Sequence, residues 1–128
     1  MTFEKLLEIA QQKTGPRQLG KMGEAGVVAA ALETEGGNVY TGVNIDVPCS
    51  MGFCAEHAAI AAMVTAGETR IVRLVAVRHT GLILPPCGRC REFICQINKD
   101  NGSCQVLLDG GRVTTIDALL PERWDAKD

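Results

Sequence analysis

The stretch IVRLVAVRHT, residues 71–80, decides the fold. It is rich in β-branched residues and largely apolar. A strand of this composition is covered on both faces, because a strand with one solvated face alternates apolar and polar residues. The sequence therefore predicts a central strand with other layers on both of its sides.

The sequence before this strand predicts a hairpin and two helices. VVAAALETEGGNVYTGVNI, residues 27–45, indicates two strands joined by a turn at 35–38. Apolar residues recur at helical spacing in MTFEKLLEIAQQK, which predicts an amphipathic helix over residues 3–13. The other predicted segments are loops over 14–26 and 47–53 and a helix from Cys54 to about Gly67.

The chain after this strand alternates helices with strands. The predicted segments are a loop over 81–86, a helix from Cys87 or Gly88 to about Asn98, a strand over 104–110, a short strand over 113–115 and a helix over 115–122 stopped by Pro121. Helices between the later strands allow parallel pairing through crossovers. The predicted fold class is α/β, a three-layer α/β/α sandwich with a mixed five-stranded sheet, in a single domain over residues 1–128.

The composition argues against several classes of function. The chain has 128 residues, 46% of them hydrophobic and 22% charged, with a net charge of −2. Since it has no basic stripe or block of like charge, no nucleic-acid partner is expected. No apolar run approaches the roughly 18 residues of a membrane span, and the N-terminal helix lacks the apolar core of a signal peptide. We therefore expect a cytoplasmic protein with no membrane partner.

Three of the six cysteines indicate a metal site. PPCGRC places Cys87 and Cys90 on one face of a helix start, which alone fits a redox dithiol, half of a zinc site or coincidence. Cys54 also opens a helix after a loop. Three thiolates would leave one tetrahedral position free, which is the pattern of a catalytic zinc site.

Glu56 follows Cys54 by two residues in FCAEHAAIAAM. Inside a regular helix the two side chains would point to opposite sides, so both can face one metal only if Cys54 occupies the helix cap. A carboxylate beside an acidified water can take up its proton, which predicts a catalytic role for Glu56. Three thiolates on Zn²⁺ leave a formal charge of about −1, and the candidates to offset it are Arg89, Arg91 and His57.

Four segments carry a resemblance to a known family. CAEHAAI and PPCGRCRE match C-A-E and P-C-x-x-C site motifs, VAAALETEGGNVYTGVNID matches a strand hairpin, and ALLPERW matches a closing helix. Together they make the chain similar to the zinc-dependent cytidine deaminase family over about residues 26–124. The resemblance implies a cytidine deaminase-like fold.

The resemblance also implies a reaction, the hydrolysis of the exocyclic amine of a small cytosine nucleoside. Cys54, Cys87 and Cys90 would hold one Zn²⁺ per subunit, which activates water for attack on C4 of the base. Glu56 would move the proton to the ring nitrogen and then to departing ammonia. Small three-cysteine members of the family resemble homotetramers with active sites near subunit junctions, so a homotetramer is expected.

Substrate-binding positions follow from the same resemblance. The family's asparagine and glutamate that hold the ribose fall at Asn44 and Asp46, which face the same way along a strand. Ala55 is also assigned to the substrate.

Three positions depart from the family pattern. Asp46 is shorter than the usual glutamate, Gly26 replaces a base-stacking aromatic, and His57 replaces an arginine. The missing aromatic and PCGRCR resemble the blasticidin S deaminase branch, although that branch lacks the acid that Asp46 supplies. Cytidine or deoxycytidine is the first expected substrate, and a modified cytosine nucleoside such as blasticidin S is the alternative.

Two further functions compete with deamination. In one, zinc only stabilises a non-catalytic binding module. In the other, Cys87 and Cys90 form a metal-free dithiol that carries out redox chemistry. We expect five further residues to be packing residues: Cys49, Cys95, Cys104, Phe53 and Trp124. Cys49 is the exception to watch, because it lies in the loop beside the site, and either aromatic could form part of a pocket wall.

Overall fold

The computed structural model describes residues 1–125. The helices are α1 (Phe3–Lys13), α2 (Ala55–Thr65), α3 (Gly88–Ile97) and α4 (Ile116–Leu119). The strands are β1 (Arg17–Leu19), β2 (Gly23–Thr34), β3 (Val39–Asp46), β4 (Ile71–Arg78), β5 (Ile83–Leu84), β6 (Gln105–Leu107) and β7 (Val113–Thr115). None of the helices in this part of the chain is long and apolar enough to cross a membrane.

The strands form one mixed sheet. β2 pairs antiparallel with β3 on one side and with β4 on the other. α3 lies in the connection from β4 to β6, and these two strands pair in parallel, as the predicted crossover requires. β7 then pairs antiparallel with β6 at the edge.

The sheet is covered on both faces. Along β4, Leu74 and Ala76 belong to the apolar cluster that contains buried residues of α2 and α3. The alternate residues Val75 and Val77 belong to the cluster that contains the buried residues of α1. The predicted three-layer sandwich and the doubly covered central strand are therefore confirmed.

The sheet has seven strands, so the predicted number of five was wrong. The two additional strands, β1 and β5, lie in segments 14–26 and 81–86, which were predicted as loops. β1 pairs with the first residues of β2, and β5 pairs with Ala76 and Val77 of β4. At three and two residues they are too short to show a period in the sequence, and pairing within the sheet determines their extended shape.

Several predicted ends also differ. β2 begins at Gly23, inside the predicted loop, and β6 ends at Leu107 because two glycines with positive φ turn the chain shortly afterwards. α4 ends before Leu120, because a residue that precedes proline disfavours helical backbone angles. Trp124 is 82% exposed, so its predicted core position was wrong. Residues 126–128 of the predicted domain lie outside the described residues.

Asn101 links its own turn to two other segments of the chain. Its side chain is fully buried, and Oδ1 accepts a hydrogen bond from the backbone N–H of Ile71 at 2.8 Å. Nδ2 donates to the carbonyl oxygens of Thr69 at 2.9 Å and Ile94 at 3.1 Å. This set of contacts, which we call the Asn101 junction, ties the start of β4 to α3.

Candidate metal centre and active site

Two helix starts converge at one end of the sheet. β3 and β4 both run antiparallel to β2, so their carboxyl ends lie at the same edge. α2 follows β3, and α3 follows β4 and β5. Clefts at the carboxyl ends of strands are common ligand sites in α/β proteins.

The cysteines occupy the caps and first turn of these helices. Cys54 is the N-cap of α2, with extended backbone at φ −74° and ψ 158°, so the predicted cap position is confirmed. Cys87 is the N-cap of α3, at φ −68° and ψ 168°, and Cys90 lies in the first turn. Backbone N–H groups at a helix start favour negative charge, which suits thiolates.

The three sulfur atoms are close enough to share a metal. Cys87 Sγ lies 3.5 Å from both Cys54 Sγ and Cys90 Sγ, and all three lie within 4.8 Å of one another. Tetrahedral zinc with Zn–S bonds of about 2.3 Å places sulfur atoms about 3.8 Å apart. Their spacing and their chemistry therefore fit Zn²⁺, whereas a disulfide requires about 2.05 Å between sulfurs.

The thiols differ in how readily they ionise. Burial opposes ionisation of Cys87, but hydrogen bonds from the backbone N–H groups of Cys90 and Arg89 outweigh it and lower the pKa of the Cys87 thiol. Burial, followed by the nearby Glu56 carboxylate, raises the pKa of Cys90. Burial is also the main cause of the raised pKa of Cys54. Since neighbouring anions repel one another, a cation among the sulfurs would favour the thiolate forms.

Glu56 lies beside the sulfurs in the first turn of α2. Its residue exposure is only 5%, and burial raises the pKa of its carboxyl. A raised pKa makes the carboxylate a better proton acceptor, and the protonated carboxyl can then return the proton. Glu56 is therefore suited to proton transfer.

A cavity of about 420 Å³ opens onto these groups. Its walls include Cys54, Glu56 and Cys87, together with the predicted substrate-binding residues Asn44, Asp46 and Ala55. The volume suits a small molecule. A larger cavity of about 620 Å³ shares Asp46 and Val47 with it but contains neither the cysteines nor Glu56, so we assign the candidate site to the smaller one.

The substrate candidates differ in their surroundings. Asn44 Oδ1 accepts a hydrogen bond from the backbone N–H of Val28 at 2.9 Å, which fixes the amide at the cavity wall. Asp46 is exposed at the rim, and Ala55 is almost fully buried. Their roles toward a substrate remain predictions.

The sequence did not predict all of the residues in the cavity wall. Phe53 lies in the wall, which was one of its two predicted positions. Ser50 and Val28 also contribute to the wall and were not predicted. Ser50 lies in a predicted loop and Val28 in an apolar strand, and neither position indicates a ligand site in the sequence. The exposed thiol of Cys49 and the buried thiols of Cys95 and Cys104 lie outside the sulfur cluster.

The backbone conformation at position 26 requires glycine. Its φ is +84°, and a Cβ added there would collide with the carbonyl oxygen of Gly15. Gly15 N–H donates to the Gly26 carbonyl oxygen at 2.8 Å. Since a side chain at position 26 would require this contact to move, glycine here has a structural reason besides any lost stacking.

The three residues predicted to offset thiolate charge are placed differently. Arg91 donates to the carbonyl oxygens of Pro86 at 2.7 Å and Leu119 at 2.9 Å, so it holds the loop before α3. Arg89 is exposed. His57 Nδ1 lies 3.4 Å from Cys90 Sγ.

The fold and the site together define a class of protein, the zinc enzymes that use a thiolate-held metal and a buried carboxylate to activate water. Comparison with known families gives the assignment within this class. The family model for the cytidine and deoxycytidylate deaminase zinc-binding region matches residues 2–104. The chain belongs to this family of zinc-dependent hydrolytic deaminases.

Named relatives and solved structures agree with this assignment. A cytidine deaminase of Sporosarcina psychrophila is 35% identical over 133 residues, covering 100% of this chain and 95% of that protein. A blasticidin-S deaminase of Bacillus cereus is 33% identical over 109 residues, covering 76% of each chain. The crystal structure of cytidine deaminase from Mycobacterium tuberculosis superposes with a TM-score of 0.80 at 28% identity, covering 97% of this chain and 98% of that one.

Proposed function

We propose that the protein hydrolyses a cytosine nucleoside, cytidine or deoxycytidine, to the uracil nucleoside and ammonia. The observation that carries this proposal is a cluster of three thiols, two of which, Cys54 and Cys87, line one small-molecule cavity together with the buried Glu56 carboxyl. A site that only stabilised the fold would need neither an open position nor a buried acid.

Each step uses a residue of this cavity. Cys54, Cys87 and Cys90 would hold the metal, and Zn²⁺ would supply a Lewis acid that lowers the pKa of the water that attacks C4. The Glu56 carboxylate accepts the proton that the water loses and delivers it to the ring nitrogen N3. It then transfers a second proton from the new hydroxyl group to the amine, so that the C4–N bond breaks and ammonia leaves.

The cavity walls orient the nucleoside. Because Val28 N–H already occupies Asn44 Oδ1, the Asn44 amide N–H group is the part that remains to donate to a sugar hydroxyl. Asp46 accepts from a sugar hydroxyl at the rim, and Ala55 lies against the base. Phe53 supplies apolar surface to the same wall.

Replacing the carboxyl of Glu56 tests this mechanism. Glu56→Gln keeps the shape of the side chain but removes the proton acceptor, so we expect full zinc content and a kcat lower by about 10²- to 10⁴-fold. The measurement is ammonia release from cytidine beside metal analysis of the same sample. A zinc-loaded Glu56→Gln enzyme with wild-type turnover would contradict the mechanism.

A modified cytosine nucleoside such as blasticidin S is the second candidate substrate. It is favoured by Gly26, where the backbone leaves no room for a base-stacking aromatic. An ammonia-release screen over cytidine, deoxycytidine, 5-methylcytidine, blasticidin S and free cytosine separates the two candidates by their kcat/KM values. The same screen tests the binding-module alternative, which predicts no turnover of any of them.

The same proposal includes a homotetramer with one zinc per chain. α2 carries exposed Ala61, Ala62 and Val64 on the side away from the sheet. A helix that is apolar all round is usually buried, so a second copy of the chain is a suitable cover. Light scattering should give about four times the chain mass of 13.7 kDa, and a monomer would contradict this part.

We also place the protein in the cytoplasm, in pyrimidine salvage. A site made of three thiols needs a reducing compartment to remain able to bind metal. Hydrolysis of free cytosine nucleosides supplies uracil nucleosides for reuse. Fractionation of cells that express the tagged chain would test the location.

A further inference from the structure

His57 connects the sulfur cluster with α3. Its Nδ1 lies 3.4 Å from Cys90 Sγ, and its ring stacks on Phe93 with centroids 4.3 Å apart and an angle of 6° between planes. Its backbone N–H also donates to the carbonyl oxygen of Cys54 at 3.1 Å. One residue therefore contacts the segments of two of the three cysteines.

The direction of the Nδ1–Sγ contact depends on the state of Cys90. A thiol can donate to Nδ1, but a thiolate that holds a metal has no proton and can only accept. When Cys90 binds a metal, His57 must therefore present an N–H at Nδ1. Both the neutral Nδ1–H tautomer and the imidazolium meet this condition, so the contact does not require a charge on the ring.

The stack on Phe93 fixes this donor in place. Phe93 lies three residues after Cys90 on α3, so the aromatic ring and the sulfur lie on the same side of that helix. The nearly parallel rings hold the imidazole plane while its edge meets the sulfur. The other candidate cations make different contacts, since the Arg91 guanidinium is engaged by two backbone carbonyl oxygens and Arg89 is exposed.

We propose that His57 is a positioning residue that donates an Nδ1–H hydrogen bond to the Cys90 thiolate and so offsets the negative charge of a three-thiolate metal site, with Phe93 holding its ring. This inference rests on the metal site of the proposed function. A hydrogen bond to a metal-bound sulfur withdraws electron density from it, and the metal then remains a stronger Lewis acid.

The test uses the spectrum of the cobalt-substituted protein. Thiolate-to-Co²⁺ charge-transfer bands report the electron density on the sulfurs, and they require no substrate. His57→Phe keeps an aromatic ring on Phe93 but removes the donor, so its band should move to longer wavelength. His57→Asn places an amide near the former Nδ1 and should keep the band near the wild-type position.

Zinc affinity provides the second readout. Competition with a chromophoric chelator should show a zinc affinity about 10-fold to 100-fold weaker for His57→Phe, a typical effect of removing a hydrogen bond to a metal ligand. Phe93→Leu should lie between wild type and His57→Phe in both readouts, because its donor remains but is less well held. His79→Phe makes the same change at an exposed histidine outside the sulfur cluster and the cavity lining, so this matched control should leave both readouts unchanged.

The outcomes separate this proposal from the proposed function. Identical cobalt spectra and zinc affinities for wild type and His57→Phe would overturn the role of His57, even if cytidine turnover is normal. A shifted band in a protein that consumes no nucleoside would support His57 and contradict the proposed function. A wild-type chain with no thiolate band would overturn both.

Discussion

The sulfur cluster and the Asn101 junction both join distant segments through side chains, but the polar groups of the two sites find their partners in different ways. All three polar contacts of Asn101 are hydrogen bonds to the backbone of the same chain. The three thiols have one another and His57 as neighbours, and two of them, Cys54 and Cys87, line a cavity. A polar group satisfied by its own chain contributes to stability, whereas a group that awaits an external partner indicates function.

Removing one sulfur should have the largest effect on activity. Cys90→Ala leaves two of the three thiols, so we expect loss of stoichiometric zinc and a fall in kcat/KM of at least about 10³-fold, equivalent to about 4 kcal/mol of transition-state stabilisation. Metal analysis and ammonia release are the measurements. Cys104→Ala removes a buried thiol outside the cluster and should keep both zinc and activity. If Cys90→Ala kept full activity, the sulfur cluster would have no catalytic role.

Removing zinc without mutation should separate catalysis from folding. Neither apolar cluster nor the Asn101 junction includes any of the three metal-binding cysteines. A chelator should therefore abolish turnover while the far-UV circular dichroism stays native. Added Zn²⁺ should restore the activity. Unfolding on chelation would instead favour the binding module in which zinc only holds the fold together.

The opposite pattern is expected at the junction. Asn101→Ala leaves Ile71 N–H and two carbonyl oxygens without partners, which should lower the free energy of unfolding by about 3 kcal/mol. Zinc content and kcat/KM of the folded fraction should not change. Asn98→Ala removes exposed hydrogen bonds nearby and should cost about 1 kcal/mol or less. Equal losses of stability in the two variants would mean that burial of Asn101 adds nothing.

Asp46 should show the smallest effect, confined to substrate binding. It is exposed at the rim, so Asp46→Ala should leave the melting temperature unchanged. Loss of one hydrogen bond to a carboxylate should raise KM for cytidine about tenfold, equivalent to about 1.4 kcal/mol. Asp46→Glu restores the acid and should recover most of the affinity. An unchanged KM in Asp46→Ala would remove Asp46 from the substrate site.

The sulfur cluster was predictable from sequence because its determinants are local. Cys87 and Cys90 are joined by a short helical spacing, and Cys54 also opens a helix, so each geometry follows from a few neighbouring residues. The central strand was predictable for a similar reason, since burial on both faces leaves a continuous apolar stretch at 71–80.

What the sequence did not reveal depends on contacts between distant segments. Asn101 lies in KDNG, which resembles an ordinary turn, and its burial depends on Thr69 and Ile71 from another part of the chain. Gly26 has φ +84° because a bulge in β2 brings it against Gly15. Part of the placement of Arg91 could be predicted. Adjacent residues on a helix point in different directions, so the Arg91 side chain could not share the face of Cys90.

X-ray absorption at the zinc edge, on protein purified with its metal, tests the central claim most directly. We predict one zinc per chain with three sulfur neighbours at about 2.3 Å and one lighter neighbour at about 2.0 Å, the signature of three thiolates and one open position. Four sulfur neighbours would describe a closed structural site. A zinc shell with no sulfur would show that Cys54, Cys87 and Cys90 do not hold the metal.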